Sequence, residues 1–479
     1  PVPGERLSNC PHINYIAMNQ CKKIHFAALE ILERLGVRLY LQEAVELLGA
    51  AGAVVKGNLV RIPSSLVEHA LSTVPKHVNI FSRDRQLVMP LGDREIYFGP
   101  SSDALNIIDH RTGKRRKPVL KDVSEGVKLC DALPEIDFVM SMVLPVDVDT
   151  ALADRYQMRL MLTHTRKPIV FITYDFEGWR TAVGMAEIVA GGGEQLRREP
   201  NIIGYINVTT GLRHNSDSLK KLLFLAGKGL PVIYAPDVYS GVTGPITIPG
   251  SIALVMSGVL AGIVISQLKR EGAPIIIPGW GGVPMDLRTT VAPYCHPDAR
   301  SIMSAMGRFY NLPVFSIAGC TEAKLVDQQA AAEAALTLLT DALSGNNLIH
   351  DIGSLESGLC YSFPHVAICA EIIRWIKHYL KEVKIDEKSL ALDHIVGMGH
   401  CERYIYPEHR LINSRQCYHP ALFERDNFDG WVKKGSKNLL QRATEQVVTL
   451  LAEHRPDPLP KEVEAKLDGV LIEAAGRAK

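Results

Sequence analysis

From about Lys121 onward, short continuous apolar runs alternate with longer segments whose apolar residues recur every three to four positions. The runs are Phe138 to Leu144, Ile169 to Thr173, Ile202 to Val208, Val232 to Ala235, Ile275 to Ile277, Val314 to Ala318 and Leu348 to Ile352. Between them the pattern predicts helices such as Trp179 to Val189, Ser218 to Lys228, Ser251 to Lys269, Pro297 to Tyr310 and Asp327 to Ser344. Strands that are apolar throughout, rather than at every second residue, are buried on both faces. Strand and helix trading places at intervals of about 30 to 45 residues is the beat of βα units. The reading is an α/β fold, a TIM (β/α)8 barrel, with seven units in view. The helix Phe363 to Lys381 and the segment Asp393 to Met398 are expected to supply the remainder. An open doubly wound sheet is the weaker alternative, because no GxGxxG follows the first strand.

The flanks follow other rhythms. Asn19 to Leu48 predicts two amphipathic helices broken at Gly36. Short strand-like pieces come next, at Leu59 to Ile62, Asn79 to Phe81, Glu95 to Phe98 and Asn106 to Asp109. Residues 1–120 therefore read as an N-terminal α+β extension, and 121–385 as the barrel. Residues 386–479 read as a helical C-terminal segment, with Arg403 to Arg415 rich in Tyr, His and Arg, then Trp431 and a helix from Ser436 to Glu453.

Composition narrows the classes. At 479 residues and 47% hydrophobic content the chain can bury a large core, and a net charge of +1 gives no reason to expect nucleic acid or an anionic membrane as partner. Nine cysteines are scattered without a CxxC pair, which argues against a zinc module or a disulfide scaffold and for a reducing, cytoplasmic setting. Pro1 to Ile24 carries no signal-peptide pattern. The apolar run Ile252 to Leu268 is too short for a membrane span and is read as a buried helix. The large helical surfaces are expected to support a homo-oligomer.

Chemistry is sought at the carboxyl ends of the strands, where parallel barrels build their active sites. Two consecutive strands end in ionisable residues, one in Gly319-Cys320-Thr321-Glu322 and the next in His350-Asp351-Ile352-Gly353. Aromatic and acidic residues recur at the other ends, including Tyr205, Asn207, Asp237, Trp280 and Glu356, with Tyr97 and Phe98 as a possible part of the same wall. Ring faces and carboxylates together suit a cation. Other schemes lack their parts. No GxSxG elbow is present, and neither Gly241 to Gly250 nor Gly279-Trp280-Gly281-Gly282 ends in GK[ST]. Cys295 and His296 are adjacent and point apart, so they do not make a zinc pair and no metal site is expected.

Three stretches resemble a known family: Val314-Phe315-Ser316-Ile317-Ala318-Gly319-Cys320-Thr321-Glu322-Ala323-Lys324; Asp327-Gln328-Gln329-Ala330; and Ser344 to Gly353 with Leu355-Glu356-Ser357-Gly358. They are similar to the trimethylamine methyltransferase superfamily, and the resemblance runs from Ile31-Leu32-Glu33-Arg34-Leu35-Gly36-Val37 to the region of Trp431. Family members with pyrrolysine demethylate trimethylamine. This chain has only the ordinary residues, so it resembles the branch without pyrrolysine, which acts on quaternary amines such as glycine betaine, proline betaine and carnitine. The resemblance implies methyl transfer to the Co(I) form of a separate corrinoid protein, with cobalamin carried by that partner. It also implies His350 facing the cobalt, with Glu322 as the second catalytic candidate. A non-catalytic betaine-binding protein, or a barrel lyase or hydrolase using Glu322 and His350 as acid and base, are the alternatives.

Overall fold

The computed structural model describes residues 12–93, 95–400 and 417–477. The segment Arg403 to Arg415 singled out above lies outside the described residues. Seven parallel strands form the central sheet, in the order Tyr97–Pro100, Leu348–Ile352, Val314–Ile317, Ile275–Pro278, Val232–Pro236, Ile202–Val208, Ile169–Phe171. Residues 137–143 fill the gap between the two outer strands. On one side the Asp137 amide donates to the Phe98 carbonyl at 2.6 Å and the Met142 amide to that of Ser101 at 3.1 Å. On the other the Val170 amide donates to the Val139 carbonyl at 2.9 Å, and Val139 pairs in parallel with Ile169. Eight strand positions thus make a TIM barrel.

Each position is followed by a long helix: Leu120–Ala132, Ala153–His164, Phe176–Ala190, Ser216–Lys228, Ile248–Lys269, Asp298–Tyr310, Gln328–Ser344 and Phe363–Tyr379, with the short Gly193–Arg198 added after the third. Phe363–Tyr379 is therefore the eighth helix. The missing strand lies at the start of the barrel, in Tyr97–Pro100, and not after Leu348–Ile352 as expected. Asp393 to Met398 falls in an outlying helix, Leu392–Met398, with no buried residue. The physical reason is local. The strand is only four residues long and contains Gly99 and Pro100, which read as turn signals. Yet a Cβ at residue 99 would stand 2.2 Å from the Phe138 ring, so this close crossing admits only glycine.

The hairpin Val78–Phe81 and Leu87–Leu91 closes the amino-terminal end of the barrel. Its Val78, Ile80, Met89 and Leu91 belong to one buried cluster with the inward-facing Val170, Ile203, Ile233 and Ile276. The opposite end is left for a site. Ile248–Lys269 is long and apolar enough to cross a membrane, but 78% of its most apolar window is buried against the protein itself. It packs on Met18–Arg34 and Ser64–Thr73, the helices of the N-terminal extension. Leu439–Glu453 packs on Phe363–Tyr379 and Leu120–Ala132, and Lys461–Arg477 on Ala153–His164 and Phe176–Ala190.

Candidate active site

A cavity of about 470 Å³ lies at the carboxyl ends of the strands. Period-two alternation decides which residues reach it. On Ile202–Val208, Tyr205 and Asn207 face the cavity while Ile206 packs outward; on Leu348–Ile352, Leu348 and His350 face inward and Ile349 outward. Asp351 breaks the rule. The register with Tyr97–Pro100 shifts between Ile349 and Ile352, and Asp351 takes a φ of +83°, so two consecutive residues line the same cavity. A bulge that re-aims a side chain beside a pocket, with a non-glycine residue held in the left-handed region, is a recurrent mark of functional sites.

His350 is buried and held on three sides. Its ring stacks on Phe315 with centroids 4.0 Å apart, and the rings of Trp280 and Tyr205 stand at 5.6 and 6.0 Å. Nδ1 lies 2.7 Å from the Ser316 carbonyl, which accepts only, so Nδ1 carries the proton and Nε2 bears the lone pair. Nε2 lies 3.6 Å from Asp351 Oδ1, and the same oxygen accepts from the Ser101 hydroxyl at 2.9 Å. Burial, partly offset by the Asp351 carboxylate, lowers the imidazole pKa below its ordinary range, so His350 is neutral at pH 7.

Trp280 follows Ile275–Pro278 through Gly279, whose absent Cβ would meet the Ser316 side chain at 2.7 Å. Gly281, at φ +131°, then turns the chain against Val255. The glycines of Gly279-Trp280-Gly281-Gly282 thus lay the indole beside Tyr205, edge to face at 5.8 Å. Between the strands that carry Tyr205 and Trp280, Asp237 follows Val232–Pro236; it is hydrogen-bonded to the Tyr239 hydroxyl, and burial raises its pKa. The lining therefore offers four large aromatic side chains, Tyr205, Tyr239, Trp280 and Tyr294, with a neutral imidazole and two carboxyl groups, an arrangement that attracts a cation without forming a sealed cage.

Of the residues singled out from the sequence, Tyr205, Asn207, Asp237, Trp280 and His350 come together in the lining. The others sit elsewhere. Tyr97 lies in the interior cluster of the barrel, outside the lining. Phe98, one residue on, faces the outer layer, where the Lys377 ammonium stands 5.4 Å from its ring. Glu356 forms a two-pronged pair with Arg115, at 3.0 and 2.9 Å. Glu322 turns to Cys295, accepting from its amide at 2.9 Å with the thiol at 2.7 Å from the other oxygen. Cys295, Glu322 and Glu333 bring ligand-type atoms within 4.8 Å of one another. Protein donors already satisfy Glu333, from the Glu322 amide at 2.9 Å, the Gln329 side chain at 2.8 Å and the Thr321 hydroxyl. Cys295 is thus tied to acidic residues and not to its neighbour His296, and Glu322 anchors the segment that carries Tyr294.

Sequence reasoning passed over Tyr294 and Arg300 and did not single out Ser101 or Asp351 as binding residues. Tyr294 arrives on an irregular loop, and Arg300 in the first turn of Asp298–Tyr310. The available signal for Arg300 was a cation on the buried face of its helix, three residues before the buried Met303.

A family model described as trimethylamine methyltransferase (MTTB) matches residues 5–473. The trimethylamine methyltransferase MttB of Desulfitobacterium hafniense (strain DSM 10664 / DCB-2) is 30% identical over 455 residues, covering 94% of this chain and 92% of the relative. The glycine betaine methyltransferase of Desulfitobacterium hafniense (strain Y51) is 28% identical over 469 residues, covering 97% of both. Among solved structures, the Methanosarcina barkeri monomethylamine methyltransferase superposes with a TM-score of 0.50 at 13% identity, over 92% of this chain and 88% of that one, a likeness of fold. With nearly its whole length matched by the family model and by full-length relatives, the chain belongs to the trimethylamine methyltransferase family.

Proposed function

We propose that this protein transfers a methyl group from a quaternary amine, glycine betaine first among them, to the Co(I) centre of a cognate corrinoid protein, releasing dimethylglycine. The observation that carries the reading is the set of Tyr205, Trp280 and neutral His350 rings lining one cavity with Asp237 and Asp351 at the mouth of a barrel of this family. A quaternary ammonium has no N–H for a base to remove, so breaking its C–N bond requires a strong nucleophile. Cobalt in the Co(I) state supplies that nucleophile when the corrinoid is bound.

The chain's own residues do the positioning. Ring faces hold the ammonium, and the two carboxyl groups add longer-range attraction. Because positive charge leaves the ammonium as the bond breaks, a partial cage favours reaction where a complete one would hold the substrate back. His350 Nε2 carries no proton and lines the cavity, which suits it to face the incoming corrinoid. Exposed Leu105, Val146, Tyr174, Leu287, Leu325 and Leu359 sit on loops after different strands and give the mouth an apolar rim, the kind of surface a partner protein covers. A reducing cytoplasmic setting suits Co(I), and the seven described cysteines are free.

The test mixes the protein with glycine betaine and Co(I) cobalamin and follows methylcobalamin by absorbance. Methylcobalamin and dimethylglycine should form in equal amounts. No methylation of cobalamin from glycine betaine, proline betaine, carnitine or trimethylamine would overturn the reading.

A further inference from the structure

Among the described residues that line the cavity, Arg300 is the one guanidinium. It is 2% exposed. Its Nη1 donates to the Tyr294 carbonyl, while Nε and Nη2 have no acceptor. The nearest carboxylate oxygen, Asp341 Oδ1, stands 3.5 Å from Nε. Asp341 is itself held, accepting from Asn346 Nδ2 at 3.1 Å and from the Ser316 hydroxyl, so it is not free to swing toward Nη2. Buried guanidinium N–H groups without acceptors are uncommon and call for a partner. Arg288, an arginine on the loop after Ile275–Pro278, does not qualify: its side chain is 88% exposed and its Nε and Nη2 are bonded to Asp286 within the same turn.

We infer that Arg300 holds the carboxylate of the substrate, which makes the cavity selective for zwitterionic quaternary amines over purely cationic ones. Asp237, Asp351 and a guanidinium in the lining of one cavity fit opposite charges carried on one small molecule. A cation without a carboxylate leaves the Arg300 N–H groups as they are. This assignment rests on the quaternary-amine reading above for the identity of the substrate, but its test is equilibrium binding and needs no methyl transfer.

The experiment measures calorimetric binding of glycine betaine and of choline, which keeps the trimethylammonium group but ends in an alcohol. Wild-type protein should bind glycine betaine at least about tenfold more tightly than choline. In the double variant Arg300→Met/Asp341→Asn, which removes both buried charges together, glycine betaine affinity should fall by about ten- to a hundredfold while choline affinity stays within about twofold. Arg300→Lys, a second variant in case the double one does not fold, should keep part of the selectivity, because a lysine retains the charge but not the fork. Equal weakening of both ligands would assign Arg300 to propping the Tyr294 wall, and unchanged glycine betaine binding would mean its N–H groups are met by water; either overturns the inference. So does a wild type that fails to prefer glycine betaine. Selective binding without any methyl transfer would sink the proposed reaction and leave Arg300 in place, whereas full methyl transfer from glycine betaine with unchanged KM in the double variant would do the reverse.

Discussion

Two neighbouring strands end at the same level of the barrel and do different things. Val314–Ile317 exits through Gly319 at φ +78°, and its first carboxylate, Glu322, turns to the Cys295 loop. Leu348–Ile352 bulges at its end, and both His350 and Asp351 face the cavity. Position at the carboxyl end of a barrel strand is common to both. What separates them is the residue at the last inward-pointing position, since Ile317 and His350 pair across the sheet and both line the cavity. His350 stands on that position, while Glu322 lies five residues beyond Ile317 and is free to serve a neighbouring loop.

The sharpest way to break this contrast is to remove each member. His350→Ala should lower the rate of cobalamin methylation by at least about a hundredfold, the scale of losing a preorganised group at a reacting centre. Glu322→Gln keeps an acceptor for the Cys295 amide and should change kcat by less than about threefold, with any effect in KM through a loosened Tyr294 loop. A large loss of kcat in Glu322→Gln would place that carboxylate in the chemistry after all.

The same contrast explains what was legible in the sequence. Seven of the eight barrel positions were readable because strands buried on both faces are apolar throughout, although residues 137–143 pair too irregularly to form a regular strand. Tyr97–Pro100 was misplaced because a glycine demanded by the Phe138 ring and a following proline look like a turn. Tyr205, Trp280 and His350 were readable because they end apolar runs. Phe98 and Tyr97 were not separable without knowing the phase of their strand. Asp351 was named with its strand end but not as a binding residue, since alternation points it outward and only the bulge reverses that. Arg300 comes from a helix, where strand-end reasoning does not look.

A second prediction concerns the ring wall. Trp280→Leu keeps an apolar side chain but removes the ring face beside Tyr205 and His350. KM for glycine betaine should rise about tenfold, in keeping with a desolvated cation–π contact, while kcat changes less. An unchanged KM would move the ammonium away from this side of the cavity.

Acidity probes the environment of the same imidazole. Burial lowers the pKa of His350, so kcat/KM should stay level as pH falls through 6.5 and decline only below it, in wild type and in Glu322→Gln alike. A profile that falls with a midpoint above 6.5 would contradict a neutral His350. Stability follows the same sign. His214 and His365 are also buried, with pKa values pushed down to about 4. Below pH 6.5 the unfolded chain takes up protons that the folded protein refuses, so their contribution is intact above 6.5 and is lost as pH drops toward 4, at up to about 1.4 kcal/mol per pH unit for each group. Thermal melts at pH 7 and pH 5 should show the loss.

The smallest expected effect belongs to Glu356, the other carboxylate after the bulged strand. It ties the last barrel loop to Arg115 on the two-residue strand Arg115–Arg116, next to Asn106–Ile108 and Cys360–Ser362. Arg115 is half exposed, so solvent screens the pair, and Glu356→Ala should lower the melting temperature only slightly. Glu356 also holds a φ of +52°, a conformation that disfavours alanine as it does glutamate and that glycine adopts freely. Glu356→Gly should therefore regain part of what the lost ion pair costs and melt above Glu356→Ala. Both variants should keep kcat/KM within about twofold, because the side chain lies outside the cavity lining. A tenfold loss in Glu356→Ala that Glu356→Asp restores and Glu356→Gln does not would put the carboxylate within reach of the substrate and remove the distinction drawn between the inward residues of this strand and the loop that follows it.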